Sequence, residues 1–390
     1  MAGRAVDLKS AYDVVVVGGR CAGAAAAMLL ARQGLDVLLV EQAPRGTDTT
    51  STLALMRGAV MQLSRWGLLD GVRAAGTPKI QKTTFHYGGD PVEIAIAPRD
   101  GVDALYAPRR TVLDPLLADA AAAAGADVAY GFRFRDVLTD RRGRVSGAVV
   151  EDDTRAVRRV AAGLVVGADG LGSPVARRVG AEAYRVGAFA GAVIYGFVPG
   201  LDVEGYHWHY APGVSAGAIP TGGGEVLVFA SLPRERFLQL RGDPSAAYFH
   251  VLENAAPRLA AALRIAPPRL PLRTFAGHVG QFRRASGPGW ALVGDAGYFK
   301  DPLTAHGMTD ALRDATLLAR AVEKGTDAAL AEYQAVRDAL SDRLFEITDE
   351  IASFSWDMAR AQQLHRELSE AMAQEVRYLR DVEKREMASV

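Results

Sequence analysis

The sequence predicts an α/β fold: a parallel-sheet unit first, then an inserted and largely antiparallel sheet, then a helical C-terminal segment. Three observations predict it. Residues 12–41 read as strand, glycine-rich turn, helix, second strand and terminal acid. Between about 184 and 275 the chain turns to strands punctuated by Gly and Pro, as in "AGAIPTGGGEVLVFASLP" at 216–233. From about 304 onward it is nearly all helical. The expected organisation is a first unit over 11–183, an antiparallel sheet on the substrate side over 184–275, a return to the first unit over 276–325, and C-terminal helices over 326–390.

The elements follow in order. Residues 1–10 read as a loose tail, and Tyr12 to Val17 is a β-branched run of the kind buried on both faces of a parallel sheet. Ala24 to Gln33 is a helix stopped by Gly34, and Leu35 to Val40 is a second buried strand ending at Glu41. Leu55, Val60, Leu63 and Trp66 are spaced as the apolar stripe of an amphipathic helix. Val112 to Ala124 is a helix closed by Gly125, and Gly163 to Val166 and Trp290 to Val293 repeat the buried-strand pattern. The apolar stretch from Val14 to Leu30 is broken by Gly18, Gly19 and Arg20. It reads as strand, turn and helix, so neither a targeting segment nor a membrane span is expected.

Composition narrows the function classes. Lys plus Arg and Asp plus Glu both number 45, a balance that gives no sign of a nucleic-acid partner. The single cysteine, Cys21, rules out an intrachain disulfide and a thiolate zinc cluster, and fits a reducing cytoplasm.

The chemistry lies in three motifs. In "DVVVVGGRCAGAAAAMLLARQGLDVLLVE", residues Gly18, Gly19, Arg20, Cys21, Ala22 and Gly23 form a turn at which a helix N-terminus aims its backbone N–H groups. Those groups and the helix dipole hold a pyrophosphate, and Glu41 accepts hydrogen bonds from an adenosine ribose. Gly18 makes the turn and Gly23 lets the helix pack on the sheet. Arg20 stands where the G-x-G-x-x-G pattern has its second glycine, so its side chain either turns outward or meets the pyrophosphate itself; the second is preferred. The other motifs are "LVVGADGLGSPVARRVG" (164–180) and "WALVGDAGYFKDPLTAHGMTDALRDATLLARAV" (290–322). Each is a buried strand running into a Gly/Asp turn and a helix, so the three turns should share one groove at the carboxyl ends of a parallel sheet.

In this order and spacing, from about residue 12 to 325, the motifs resemble the FAD-dependent monooxygenases of the para-hydroxybenzoate hydroxylase type. That superfamily also holds flavin-dependent halogenases and geranylgeranyl reductase-like enzymes. The segments "GGRCAG" and "GDAGYFKDPLTAHGMTDALRDA" are most similar to the reductase-like branch. The resemblance implies a Rossmann-type FAD-binding domain with an inserted antiparallel substrate domain. It also implies residue roles. Asp295, after Gly294, would hydrogen-bond the ribityl chain, and Arg110 would contact the cofactor between ribityl and pyrophosphate. Asp169 and Gly170 would form the second turn, near the pyrophosphate and the nicotinamide entry route. The helix from Gly307 and Met308, beyond the Pro302 loop, would aim its N-terminus at the flavin N1–C2=O edge, where reduced flavin carries negative charge. Departures are Gly297-Tyr298 for the family's Ala-His, and Ala305-His306-Gly307-Met308-Thr309 for its Gly-x-Gly-x-Asn. The halogenase W-x-W-x-I-P signature is replaced by "VSAGAIP" at 214–220.

The function expected is oxidation or hydroxylation of a small organic molecule, of the secondary-metabolite kind, through a C4a-hydroperoxyflavin. The alternative is hydride delivery to an alkene, as in geranylgeranyl reductases. More remote readings are a halogenase and a non-catalytic flavin-binding protein. No second strand–G-x-G-x-x-G–helix unit is present, so NADPH or NADH would visit transiently, or a separate flavin reductase would supply electrons.

Other candidates keep two or more readings. Arg57 points at the flavin or pairs structurally with a carboxylate, and His306 lines the substrate pocket or caps the following helix. In "HWHY", His207 and His209 share one side of a strand. With no carboxylate or cysteine cluster beside them, no metal site is expected. His209 and Tyr210 then line a substrate pocket or belong to a plain aromatic sheet face. The Lys/Arg/Glu mixture after 359 reads as a solvated helix face, or else as an oligomer contact.

Overall fold

The structure is a computed structural model that describes residues 8–265 and 272–387, with side chains to residue 382. Most of the expected tail, residues 1–7, lies outside the described residues. The chain begins with β1 (Ala11–Val17), α1 (Cys21–Arg32) and β2 (Val37–Glu41), followed by α2 (Arg57–Arg65), α3 (Leu69–Ala74) and the hairpin β3 (Lys82–His86) and β4 (Val92–Ala95). Next come α4 (Arg110–Ala123), β5 (Asp127–Tyr130), β6 (Arg133–Thr139), β7 (Val145–Glu151), β8 (Val157–Gly167) and α5 (Pro174–Arg178). The strands β9 (Ala183–Val186), β10 (Gly191–Pro199), β11 (Tyr206–Ala211), β12 (Val214–Thr221) and β13 (Glu225–Pro233) lead to α6 (Arg234–Leu240), α7 (Pro244–Ala255) and α8 (Pro257–Ile265). The rest is β14 (Arg273–Phe275), β15 (Gln281–Arg283), β16 (Ser286–Gly287), β17 (Trp290–Leu292), β18 (Tyr298–Phe299), α9 (Gly307–Glu323), α10 (Asp327–Ala352) and α11 (Met358–Met387). None of the described helices is long and apolar enough to cross a membrane.

The expected α/β architecture is present. β17, β8, β1, β2 and β5 run parallel in that order, and β6, β7 and β16 extend the sheet antiparallel. Both faces of its centre are covered. Val14 and Val16 pack with α1, α4 and α9 in one core, whereas Val15 and Val17 pack with Trp290, Phe132 and Val175 in a second. α1 is alanine-rich for a steric reason: Ala24 to Ala27 are wholly buried where α1 meets α4 and α9. The helix starts at Cys21, three residues before the apolar pattern suggests, and Gly34 follows it at φ +84°.

The second sheet has the order β14-β10-β13-β12-β11-β3-β4. Its inner face, with Tyr195, Phe197, Trp208 and Phe229, joins the core of the first unit; its outer face packs beneath α7 and α8. Two of its strands, β3 and β4, come from residues 82–95, well before the segment whose composition marks an antiparallel sheet. The alternation in "KTTFH" signals a strand but carries no information about a partner more than a hundred residues away. α11 is not solvated all round: Leu364, Leu368, Ala371, Glu375, Val376 and Leu379 are buried against the rest of the chain.

Gly23 shows how tightly the first turn is built. A Cβ there would sit 1.8 Å from the Gly18 carbonyl oxygen and 2.9 Å from the Ala168 Cβ. Gly23→Ala should therefore lower unfolding stability by about 1–3 kcal/mol, the usual cost of overpacking. Urea titration checks this, and an unchanged midpoint would mean that α1 does not press on the turn.

Candidate functional site

The carboxyl ends of four parallel strands open onto one cavity of about 560 Å³. Val17 and Gly18 come from the end of β1, Glu41 from β2, Ala168 to Leu171 from β8, and Asp295 from the turn after β17. Arg20, Cys21 and Ala22 line it from the start of α1, Arg110 from the first turn of α4, and Gly307, Met308 and Ala311 from the start of α9. Pro302 and Ala305 complete that side. Three sequence-distant Gly/Asp turns thus meet at one groove. Gly19, Gly23 and Gly294 stand behind the wall, packed on Glu41, Gly18 and Ala22 respectively.

One end of the cavity is built around Glu41. Its carboxylate accepts from the backbone N–H of Gly19 and of Ala43, both at 2.8 Å, so side chain and turn are locked together. Gly18, at φ +104°, lies so close to the Ala168 carbonyl that a Cβ would stand 2.4 Å from its oxygen. Only glycine fits there, and the cradle keeps its backbone open for a phosphate. Arg20 lines the cavity beside it and forms no ion pair among the described residues. Arg110 is buried and held by Asp114, with Nη2 at 2.8 Å; the Cys21 thiol donates to the same carboxylate oxygen at 3.2 Å. Burial pushes the Cys21 thiol far above its usual range, so it is not a nucleophile at neutral pH. Asp169 accepts from Ser173 Oγ and from the Val175 N–H, which fastens the second turn to α5.

The opposite end is apolar and aromatic, walled by Val193, Tyr195, Phe275 and Phe299, with Thr49 to Thr52 along one edge. Tyr195 Oη accepts from the Ser51 N–H at 3.2 Å. Asp295 faces the open cavity, yet burial by the surrounding protein raises its carboxyl to about 6 against the pull of Lys300 and Arg110.

Beneath this end lies a buried ionic network. Arg313 is fully buried and donates to Asp314 at 2.8 Å, Asp310 at 2.9 Å and Glu375 at 2.7 Å. Asp314 also accepts from the Gly294 N–H at 3.2 Å, which ties the network to the turn carrying Asp295. Lys300 ion-pairs with Asp310 and reaches the cavity wall; burial, then Arg313, brings its ammonium down to about 7.

Four sequence-derived pocket candidates lie elsewhere. His306 is 1% exposed and points away from the cavity, with Nε2 donating to Glu375 at 2.6 Å. Arg57 donates to the carbonyls of Ala97, Arg99 and Val102, so it braces a loop. Tyr210 is buried against Trp356 and His365. His209 stacks on His86 on the outer face of the second sheet, where burial holds its imidazole down at about 3. For Arg57, His209 and Tyr210 the sequence indicates the strand or helix but not the side chain's facing, and His306 lies in the turn just before α9. Conversely, Lys300, Asp310, Arg313 and Asp314 all lie inside the third motif, and the spacing of 310, 313 and 314 is the available signal. Glu375, on a distant helix, gives none.

The comparisons with known proteins agree with this geometry. A family model described as FAD binding domain matches residues 11–348. The chain belongs to that family. It is 31% identical over 328 residues to digeranylgeranylglycerophospholipid reductase 2 of Methanothermobacter thermautotrophicus, covering 80% of this chain and 79% of that protein. It is 29% identical over 345 residues to menaquinone reductase of Mycolicibacterium smegmatis, covering 80% and 76%. Among solved structures, a triple mutant of the flavin-dependent brominase Bmp2 superposes with a TM-score of 0.79 at 18% identity, over 96% of this chain and 100% of that one, which is a likeness of fold. The chain is an enzyme of the FAD-dependent oxidoreductase superfamily.

Two outcomes follow. If Arg20 meets the pyrophosphate, Arg20→Ala weakens FAD binding by about 1.5–3 kcal/mol, the value of a charge-assisted hydrogen bond; an unchanged dissociation constant on reconstitution places the side chain outside. Glu375→Gln leaves Arg313 short of a buried partner and should cost about 3–5 kcal/mol at neutral pH. Burial works to raise the Glu375 carboxyl, but His306 and Arg313 prevail and hold it below the usual range. A depressed carboxyl contributes stability above its unfolded value of about 4.3 and loses it as pH falls toward the folded one. The gap between wild type and variant should therefore narrow below pH ~4. A pH-independent gap in chemical unfolding contradicts this.

Proposed function

We propose that this enzyme is an FAD-dependent monooxygenase acting on a small electron-rich organic molecule. The observation that carries the reading is the apolar wall of Val193, Tyr195, Phe275 and Phe299 at the end of the cavity opposite Glu41. In this reading Gly18, Cys21 and Ala22 cradle the pyrophosphate with Gly19 and Gly23 supporting the turn from behind, Glu41 takes the adenosine ribose, and Arg20 and Arg110 neutralise phosphate charge. Asp169 and Gly170 lie near the pyrophosphate, Asp295, with Gly294 behind it, borders the ribityl chain, and Pro302, Gly307 and Met308 border the flavin ring. The approach of Gly18 to the Ala168 carbonyl, which leaves no room for a Cβ, makes the tight turn that this fit needs. Bound FAD supplies two-electron redox chemistry and, once reduced, activation of dioxygen.

The chain's own residues do the rest. The aromatic wall would keep water away from the ring, so that dioxygen activated there goes into substrate rather than being released as hydrogen peroxide. The first turn of α9 presents N–H groups where negative charge develops.

A second reading is reduction of an alkene. It is favoured by the names of the two reductase relatives and by Lys300, whose ammonium at about 7 suits a proton donor at the cavity wall. The electron donor is NADPH, NADH or a partner flavin reductase. Turnover of a panel of small phenols and arylamines, with isotopically labelled dioxygen, separates the readings. A monooxygenase places one labelled oxygen atom in its product and is silent without dioxygen. Anaerobic reduction of a prenyl alkene, with no labelled product from the panel, moves the assignment to the reductase.

A further inference from the structure

The second sheet carries a cluster that the flavin chemistry leaves unused. β11 pairs in parallel with β3, with His209 opposite His86 and His207 opposite Thr84. Strand alternation puts Phe85 and Trp208 in the core against the first unit and turns Thr84, His86, His207 and His209 to the other face. Three half-buried imidazoles thus meet on one face: His86 and His209 stack with ring centres 4.0 Å apart, and His86 Nε2 lies 3.0 Å from His207 Nδ1. One ring nitrogen from each lies within 4.8 Å of the others.

Hydrogen bonding decides how these nitrogens are used. His207 Nε2 is 3.1 Å from the Glu204 carbonyl, which can only accept, so the proton of the neutral ring sits on Nε2. Its Nδ1 lone pair then faces His86. An N–H donated to a backbone carbonyl is the usual second-shell support of a metal-binding histidine. Beside it, the buried Thr84 Oγ1 has no hydrogen-bond partner. His250 and His278 are engaged elsewhere, with Arg236 and the Val279 carbonyl. The other nearby grouping of this kind, His306, Asp310 and Glu375, is already saturated by Lys300 and Arg313.

We propose that His86, His207 and His209 bind a borderline divalent transition metal ion, zinc in the first instance, which clamps β3 to β11 on the sheet face opposite the flavin cavity. Neutral imidazoles are the preferred nitrogen ligands of zinc, and three of them leave a fourth tetrahedral position for water. At a Zn–N distance of about 2.05 Å, two ligands of one tetrahedral ion stand about 3.4 Å apart, close to the His86–His207 spacing already present. The parallel rings of His86 and His209 send their lone pairs side by side. Convergence on one ion requires a turn about χ2, a broad and inexpensive torsion. Binding would fasten the early hairpin β3–β4 to a strand more than a hundred residues later, so its effect is on the sheet rather than on the flavin reaction.

The test uses untagged, full-length, flavin-loaded protein, treated with chelator and titrated with zinc chloride by isothermal calorimetry. One ion per chain should bind, raising the melting temperature by mass action. His209→Gln should weaken binding by about 100-fold or more, since even second-shell changes at such sites cost 10–100-fold. His207→Asn, at the more exposed ring, serves as the second variant, with circular dichroism and the flavin spectrum confirming that both variants fold. Binding that is absent in the wild type, or that survives both substitutions, overturns the proposal.

Discussion

The aromatic end of the cavity depends on one buried guanidinium. Arg313 is surrounded by three carboxylates, and through them it holds the turn after β17, the start of α9 and the middle of α11 in a single arrangement. A buried arginine is costly unless its donors are met, so this cluster tolerates one geometry and resists the alternatives. The same ion network sets the charge beneath the cavity floor. Lys300 and Asp295 both depart from their ordinary titration because burial acts on them together with these neighbours.

The Glu41 end rests on a different constraint, backbone proximity. Glu41 grips the Gly19 N–H, Gly18 lies against the Ala168 carbonyl, and Gly23 abuts Gly18. No side chain could enter any of these contacts without moving main chain. The Glu41 end is thus fixed by sterics and the aromatic end by electrostatics, and the cavity spans both.

Much of this was legible in the sequence, for physical reasons. The strand–turn–helix units are local, so buried β-branched runs and glycine-rich turns announce them, and the three motifs converge because parallel strands share a carboxyl edge. Cavity residues at those turns, from Gly18 to Asp295, follow directly. Facing and long-range pairing were not legible. Arg57, His209, Tyr210 and His306 sit on correctly anticipated elements but point to a loop, a histidine stack, an aromatic cluster and Glu375. The partnership of β3 with β11, and of Arg313 with Glu375, joins segments whose local patterns hold no record of each other.

The most direct measurement is the flavin content of the purified chain, read from its visible spectrum and from the nucleotide released on denaturation. A cavity built by four strand ends around Gly18 and Glu41 predicts a yellow protein that releases one FAD per chain and can be reloaded after stripping. A colourless protein that takes up no FAD on reconstitution would contradict it, as would one that binds FMN equally well, since FMN lacks the adenosine half proposed for the Glu41 end.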